Sequence, residues 1–213
     1  MQRRIHDLEV DIVVGTQLIT KGHDFPNVTL VGAILADLSL NLPDFRAGER
    51  TFQLLTQVAG RAGRAEKPGE VFIQTYNPMH HSLQGARDHD AKRYLEMELK
   101  QRKVLKVPPY WSMVLILCSS PSEKRAETLA STVRGRIKKI PQNVTIIGPL
   151  ESPLKKLRNR FRWQVLLKAP EISVLKSLLN EMMQEPIKVQ KDELLQIDVD
   201  PVSYTHLTLP TTG

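Results

Sequence analysis

Cysteine is almost absent from this chain of 213 residues: Cys118 stands alone. That excludes an intramolecular disulfide and a cysteine-based zinc site within it. Aromatic residues make up only 5%. No apolar run approaches the ~18 residues that span a bilayer, so no membrane partner is expected. No secretory leader is legible either, and a cytoplasmic location is the expectation. The pattern G-x-x-x-x-G-K-[S/T] is also missing, so no complete phosphate-cradling loop with its lysine is encoded. Cys118 itself sits in the apolar run "SMVLILCSS" and reads as a core residue.

What is present is an excess of positive charge. Lys and Arg number 30 against 23 Asp and Glu, a formal net charge of +7, which points to an anionic partner such as nucleic acid or nucleotide. Two regions separate near "KVPPYW". In the first, over 1–78, "DIVVGT", "VTLVGAILAD" and "GEVFIQTY" read as strands. "FRAGERTFQLLTQVAGRA" carries Phe52, Leu55 and Val58 at helical spacing. The alternation predicts part of a doubly wound α/β lobe. Over 79–107, "GARDHDAKRYLEMELKQRKVL" reads as one long charged connecting helix stopped by Pro108 and Pro109. His80 and His81, just before it, read as solvated loop residues. The second region, over 108–201, runs β-α-β-β-α-β, the ferredoxin-like order. Residues 202–213, low in charge and threonine-rich, follow a finished strand and are expected to be a non-native tail, while Met1 reads as an internal methionine.

Three segments carry chemistry. "QVAGRAGR" spaces Arg61 and Arg64 by three residues, on one side of a helix or its last turn. Glycine and alanine around them leave the backbone bare for a phosphate, which planar guanidinium groups match. Equally, arginines in a last helical turn can simply complement the helix dipole. "GTQLITKGHDF" follows a strand and combines Gly15, Thr16, Gln17, Lys21, Gly22 and Asp24, a set able to approach phosphate or ribose. "LKKLRNRFRWQ" holds Lys155, Lys156, Arg158, Arg160 and Arg162 with Phe161 and Trp163 between them. Cations there can neutralise phosphates while the aromatics stack on bases. The strand-like alternation offers a second reading, with the aromatics in the core and the arginines outward from a loop.

Taken together, "GTQLITKGHDF" and "QVAGRAGR" resemble motifs V and VI of superfamily two helicases. "PDFRAGER", "GEVFIQT", "PPYW", "RFRWQVLLK" and the terminal "DVDP" narrow the resemblance to the primosomal protein N′ (PriA) family of bacterial replication-restart DNA helicases. The resemblance implies the end of a second RecA-like helicase lobe followed by a C-terminal ferredoxin-type domain, hence a C-terminal portion of the family's chain. It implies that Arg61 and Arg64 meet the ATP γ-phosphate, with Arg64 as the arginine finger, and that Gln57 couples nucleotide to the lobe interface. Gly22 and Asp24 would lie near the nucleotide, and Thr16 and Gln17 near the cleft or the DNA backbone. ATP and Mg²⁺ would be shared with a first lobe that this sequence does not contain, and zinc would belong to the parent protein alone. The implied partners are branched or single-stranded DNA, single-stranded DNA-binding protein and other primosome proteins, with a monomer expected. By itself the chain is expected to hydrolyse no ATP. The competing reading is a non-enzymatic nucleic-acid-binding module, for which the charge and the second region would suffice. Another superfamily two helicase would share motif VI but not "PDFRAGER" or "DVDP".

Overall fold

The computed structural model describes residues 10–15, 28–41, 44–60 and 69–201. The chain divides into two units, Met1–Lys100 and Gln101–Gly213. In the first, residues 10–15 carry no strand, against the expectation for "DIVVGT". β1 (Leu30–Ala33) and β2 (Glu70–Ile73) pair in parallel, Leu30 opposite Glu70 through Ala33 opposite Ile73. A single 3-10 turn over Ala36–Leu38 leaves β1. Its Asp37 carboxylate accepts hydrogen bonds from the Thr75 hydroxyl and from the Tyr76 N–H at 2.5 Å, tying the end of β1 to the end of β2. Those bonds, the Thr75 hydroxyl first, hold the Asp37 carboxyl below the usual carboxylate range.

Helix α1 (Ala47–Ala59) starts on Asp44, which accepts from the Arg46 N–H at 2.9 Å and from Arg50 Nη2 at 2.7 Å. Ala47, Thr51, Leu55 and Val58 recur at helical spacing and form its buried stripe. Leu55 packs with Leu83 and Ala86 of the next helix into a small core to which Phe52 and Ile73 add. The segment expected as one long helix is two: α2 (His81–Arg87) and α3 (Ala91–Leu105). His89 between them adopts φ 52°, a left-handed conformation that no helix interior tolerates. The Asp90 carboxylate then accepts from the Arg93 N–H at 2.9 Å and opens α3.

His80 and His81 are not solvated loop residues. The His80 imidazole caps α2, its Nδ1 accepting from the Ser82 N–H at 3.2 Å. His81 is buried and meets the buried Glu98 carboxylate at 2.7 Å. Tyr94, also buried, stacks between Phe52 (4.0 Å) and His81 (5.6 Å).

The second unit contains β3 (Ser112–Ser120), α4 (Glu123–Arg136), β4 (Thr145–Leu157), β5 (Arg160–Ala169), α5 (Ile172–Met183) and β6 (Leu194–Val199). That is the β-α-β-β-α-β succession expected from the sequence. The four strands form one antiparallel sheet in the order β4-β5-β3-β6. Val114, Ile116 and Cys118 of β3 alternate with Val165, Leu167 and Ala169 of β5 onto one face. Leu129, Ala130 and Val133 of α4 and Leu175, Leu178 and Met182 of α5 cover that face. Cys118 is fully buried there, and burial pushes its thiol up to about 12, so it stays protonated and inert. From α4, Arg125 reaches Asp192 at 2.5 and 2.9 Å, Gln190 at 2.5 Å and Glu193 at 3.3 Å, pinning the segment that leads into β6. Asp200 closes the far end, its carboxylate accepting from the Met113 N–H at 2.9 Å and its own N–H donating to the Met113 carbonyl at 2.7 Å.

Gly148 interrupts the β4–β5 register at φ 107°, and a Cβ placed there would lie 2.6 Å from the Gln164 carbonyl oxygen. Gly148→Ala is therefore expected to cost about 1–3 kcal/mol of stability, read from denaturant midpoints. His80 gives a pH dependence. Burial first, then His81, holds its pKa below the ordinary value. Its stabilising contribution is therefore complete above about pH 6.5 and lost as pH falls through the depressed folded value. His80→Asn keeps a capping acceptor without a titrating ring, and its thermal midpoint is expected to fall less than that of the natural chain on going from pH 7 to pH 5.

Candidate nucleic-acid interface

A strand that packs alternate side chains into a core must present the others on the opposite face. In β5 the core-facing residues are Trp163, Val165, Leu167 and Ala169, which leaves Arg160, Arg162, Gln164, Leu166 and Lys168 on the face away from the helices. β3 presents Leu115, Leu117 and Ser119 there, and β6 presents Leu194, Gln196 and Asp198. With Leu157 and Arg158 of the β4–β5 turn, these line an open cleft of about 280 Å³.

The register fixes rows across this face. Ser119 lies between Arg162 and Leu194, Leu117 between Gln164 and Gln196, and Leu115 between Leu166 and Asp198. Leu115 is buried at the floor. The cleft is thus apolar below and polar at two opposite ends, guanidinium at one and carboxylate at the other.

The basic run is a β-hairpin rather than a loop feeding a strand. β4 continues to Leu157, and Leu157 pairs with Arg160 across a two-residue turn. Arg158 and Asn159 in that turn have φ 49° and 60°. Positive φ at both positions is the type I′ geometry that matches the twist of a hairpin, and Asn is a residue that accepts it. The hairpin sorts the five cations by face. Lys156 lies opposite Phe161, its Nζ 4.8 Å from the ring centroid. Lys155 is paired with Glu123 at 2.7 Å and Glu151 at 2.9 Å, which raise its pKa, Glu123 foremost. Glu123 opens α4, so Lys155 is engaged on the helix side of the sheet. The two lysines accordingly stand apart from Arg158, Arg160 and Arg162.

The three arginines differ from one another. Arg158 is exposed at the turn. Arg160 is committed to the fold, its Nε donating to Ser119 Oγ at 3.2 Å and its Nη2 to the carbonyls of Ser119 (2.9 Å) and Asp192 (3.0 Å). Arg162 is half-buried, and burial pushes its pKa down. Its Nη1 is shielded from solvent and has no hydrogen-bond partner, as is true of Gln164 Oε1 beside it. An orphaned buried donor costs free energy unless a ligand or water completes it. Arg162 therefore offers an anion a donor that nothing in the fold uses. Trp163 packs against the core, so it is no base-stacking platform.

Of the residues expected around nucleotide, Gln57 is exposed on α1, two residues before that helix ends. Arg61, Arg64, Gly22, Asp24, Thr16 and Gln17 lie outside the described residues. Among the described residues, no group of three or more His, Cys, Asp or Glu side chains could hold a metal ion. No described helix is long and apolar enough to cross a membrane. Sequence reasoning missed the cleft's other lining residues, Leu115, Leu117, Gln196 and Asp198 among them. Their period-two alternation was legible, but which strands are neighbours was not.

A family model described as the primosomal protein N C-terminal domain matches residues 103–202. The chain is 41% identical over 196 residues to the replication restart protein PriA of Bacillus subtilis, covering 91% of this chain and 24% of that protein. It is 41% identical to the protein of the same name from Synechocystis, over 92% of this chain and 23% of the relative. With that from Treponema pallidum the identity is 35%, over 92% of this chain and 30% of the relative. The chain thus spans about a quarter of the length of the Bacillus subtilis and Synechocystis relatives.

Arg160 and Arg162 are expected to differ in what they contribute to stability. Arg160→Ala loses three hydrogen bonds made by a charged group and should cost about 1–3 kcal/mol, measured by denaturant unfolding. Arg162→Met removes an orphaned donor while keeping an apolar stem, so its unfolding midpoint should be unchanged or higher.

Proposed function

The chain belongs to the replication restart protein PriA family, and from that premise we propose that it is the C-terminal part of an ATP-dependent 3′→5′ DNA helicase. In this reading the parent enzyme recognises stalled or branched replication forks and restarts replication through primosome assembly. The first unit is then the end of a RecA-like lobe, and the second a ferredoxin-like domain that binds branched or single-stranded DNA. Single-stranded DNA-binding protein and other primosome proteins are the further partners this reading carries. The observation that carries the DNA-binding half is the gathering of Arg158, Arg160 and Arg162 around one cleft on the sheet face away from the helices, with Arg162 Nη1 lacking a partner. Phosphate oxygens are the ligand such donors suit.

For the ATP half the support is the motif resemblance. Arg61 and Arg64 would neutralise charge that develops on the transferring phosphoryl group, with Arg64 as the finger. Gln57, exposed close to the end of α1, would transmit the nucleotide state to the lobe interface. Gly22 and Asp24 would border the nucleotide, and Thr16 and Gln17 the DNA backbone. ATP with its Mg²⁺ supplies the phosphoryl group and the metal charge. The phosphate-loop lysine and the acidic metal ligands would come from another lobe, so this chain alone should hydrolyse no ATP.

Charge reversal tests the division of labour. In the full-length protein, Arg61→Glu with Arg64→Glu should lower DNA-stimulated ATP hydrolysis by about 10³ or more. In this chain the same pair should leave affinity for single-stranded DNA within about twofold. A loss of about tenfold or more would make both residues DNA phosphate contacts instead, and the chain a nucleic-acid-binding module.

A further inference from the structure

We propose that the cleft on the helix-free face of the second unit's sheet is a subsite for one unstacked nucleotide of a DNA strand. Arg158 and Arg162 take its phosphate, and Asp198 with Gln196 reads a base that carries an exocyclic amine. The inference rests on the DNA-binding reading above and adds a base preference to it.

Three features of the cleft carry it. First, the two ends have opposite chemistry. Arg162 and Asp198 stand two strands and two rows apart on the register grid, about 16 Å between Cα atoms at ordinary sheet spacings. Second, the floor between them is the apolar surface of Leu115 and Leu117, walled by Leu157 and Leu194, which suits the flat face of a base. Third, the volume of about 280 Å³ falls just below the range of sites that enclose a drug-sized ligand, about 300–1,000 Å³. That admits one nucleotide and no duplex.

Asp198 decides between occupants. A carboxylate is an acceptor only, so it repels the side chains of an acidic peptide but pairs with the N–H groups of a base edge. Cytosine, adenine and guanine each offer an amino donor, whereas thymine offers a lone N–H flanked by two carbonyl oxygens. Gln196, on the same strand and face, adds an amide able to donate or accept.

The test is fluorescence anisotropy of the whole chain with labelled oligo(dC) and oligo(dT) of equal length. Oligo(dC) is expected to bind about tenfold more tightly. Dimethylation of the cytosine amino group, or Asp198→Asn in the protein, should bring oligo(dC) to the oligo(dT) level. If Asp198→Asn fails to fold by circular dichroism, the dimethylated oligonucleotide alone decides, because it needs no variant. Equal affinities for oligo(dC) and oligo(dT) overturn the subsite while leaving DNA binding standing, and so does a preference that survives dimethylation. Absence of salt-sensitive binding to either strand overturns both readings. Displacement of oligo(dC) by polyglutamate at lower concentration than by oligo(dT) assigns the cleft to an acidic peptide and overturns the proposal.

Discussion

The second unit depends on one constraint: a strand cannot bury two adjacent side chains on the same face. In "RFRWQVLLK" the core takes Trp163, Val165 and Leu167, and that choice sends Arg160, Arg162 and Gln164 to the opposite face. Burial of apolar surface drives the first placement at about 25 cal/mol per Å². The second placement has no comparable drive of its own. A row of polar and charged groups on a sheet is thus set by the hydrophobic residues between them.

The consequences spread through neighbouring elements. Because Arg160 is carried to the edge of β5, it can bond Ser119 of β3 and the carbonyl of Asp192 ahead of β6. Arg125 grips the same segment from the helix side through Asp192 and Glu193. Two arginines on opposite faces thereby fix the approach of β6 and place Asp198 on the cleft. Arg162, one step further along β5, finds no such partner and keeps an unused donor. An arginine bonded into the fold and one with an unpartnered donor therefore sit two residues apart, and only their surroundings distinguish them.

In the first unit three of the described polar residues serve the fold. Asp37 joins the ends of two parallel strands, Asp44 starts α1, and His80 starts α2. Asp44 belongs to "PDFRAGER", one of the segments that carried the family resemblance. Its role here is a helix start and an ion pair with Arg50, so this family signature is at least in part a structural one.

Local regularities were legible from the sequence alone because they depend on neighbours in the chain. The spacing of Phe52, Leu55 and Val58 foretold α1, the alternation in "RFRWQVLLK" divided core from surface, and the β-α-β-β-α-β order followed. Reading failed where a single residue's conformation or a distant contact decided. His89 at positive φ split a charged helix that composition alone made continuous, and a buried Glu98 drew His81 into the interior. The arginine motifs of the first unit were legible as a pattern, yet their placement lies outside the described residues. The cleft belongs wholly to tertiary structure. Asp198 shares a face with Arg162 only because β6 and β5 both pair with β3. Strand order is set by how two helices cover one sheet face, a long-range packing problem that no local window of sequence contains.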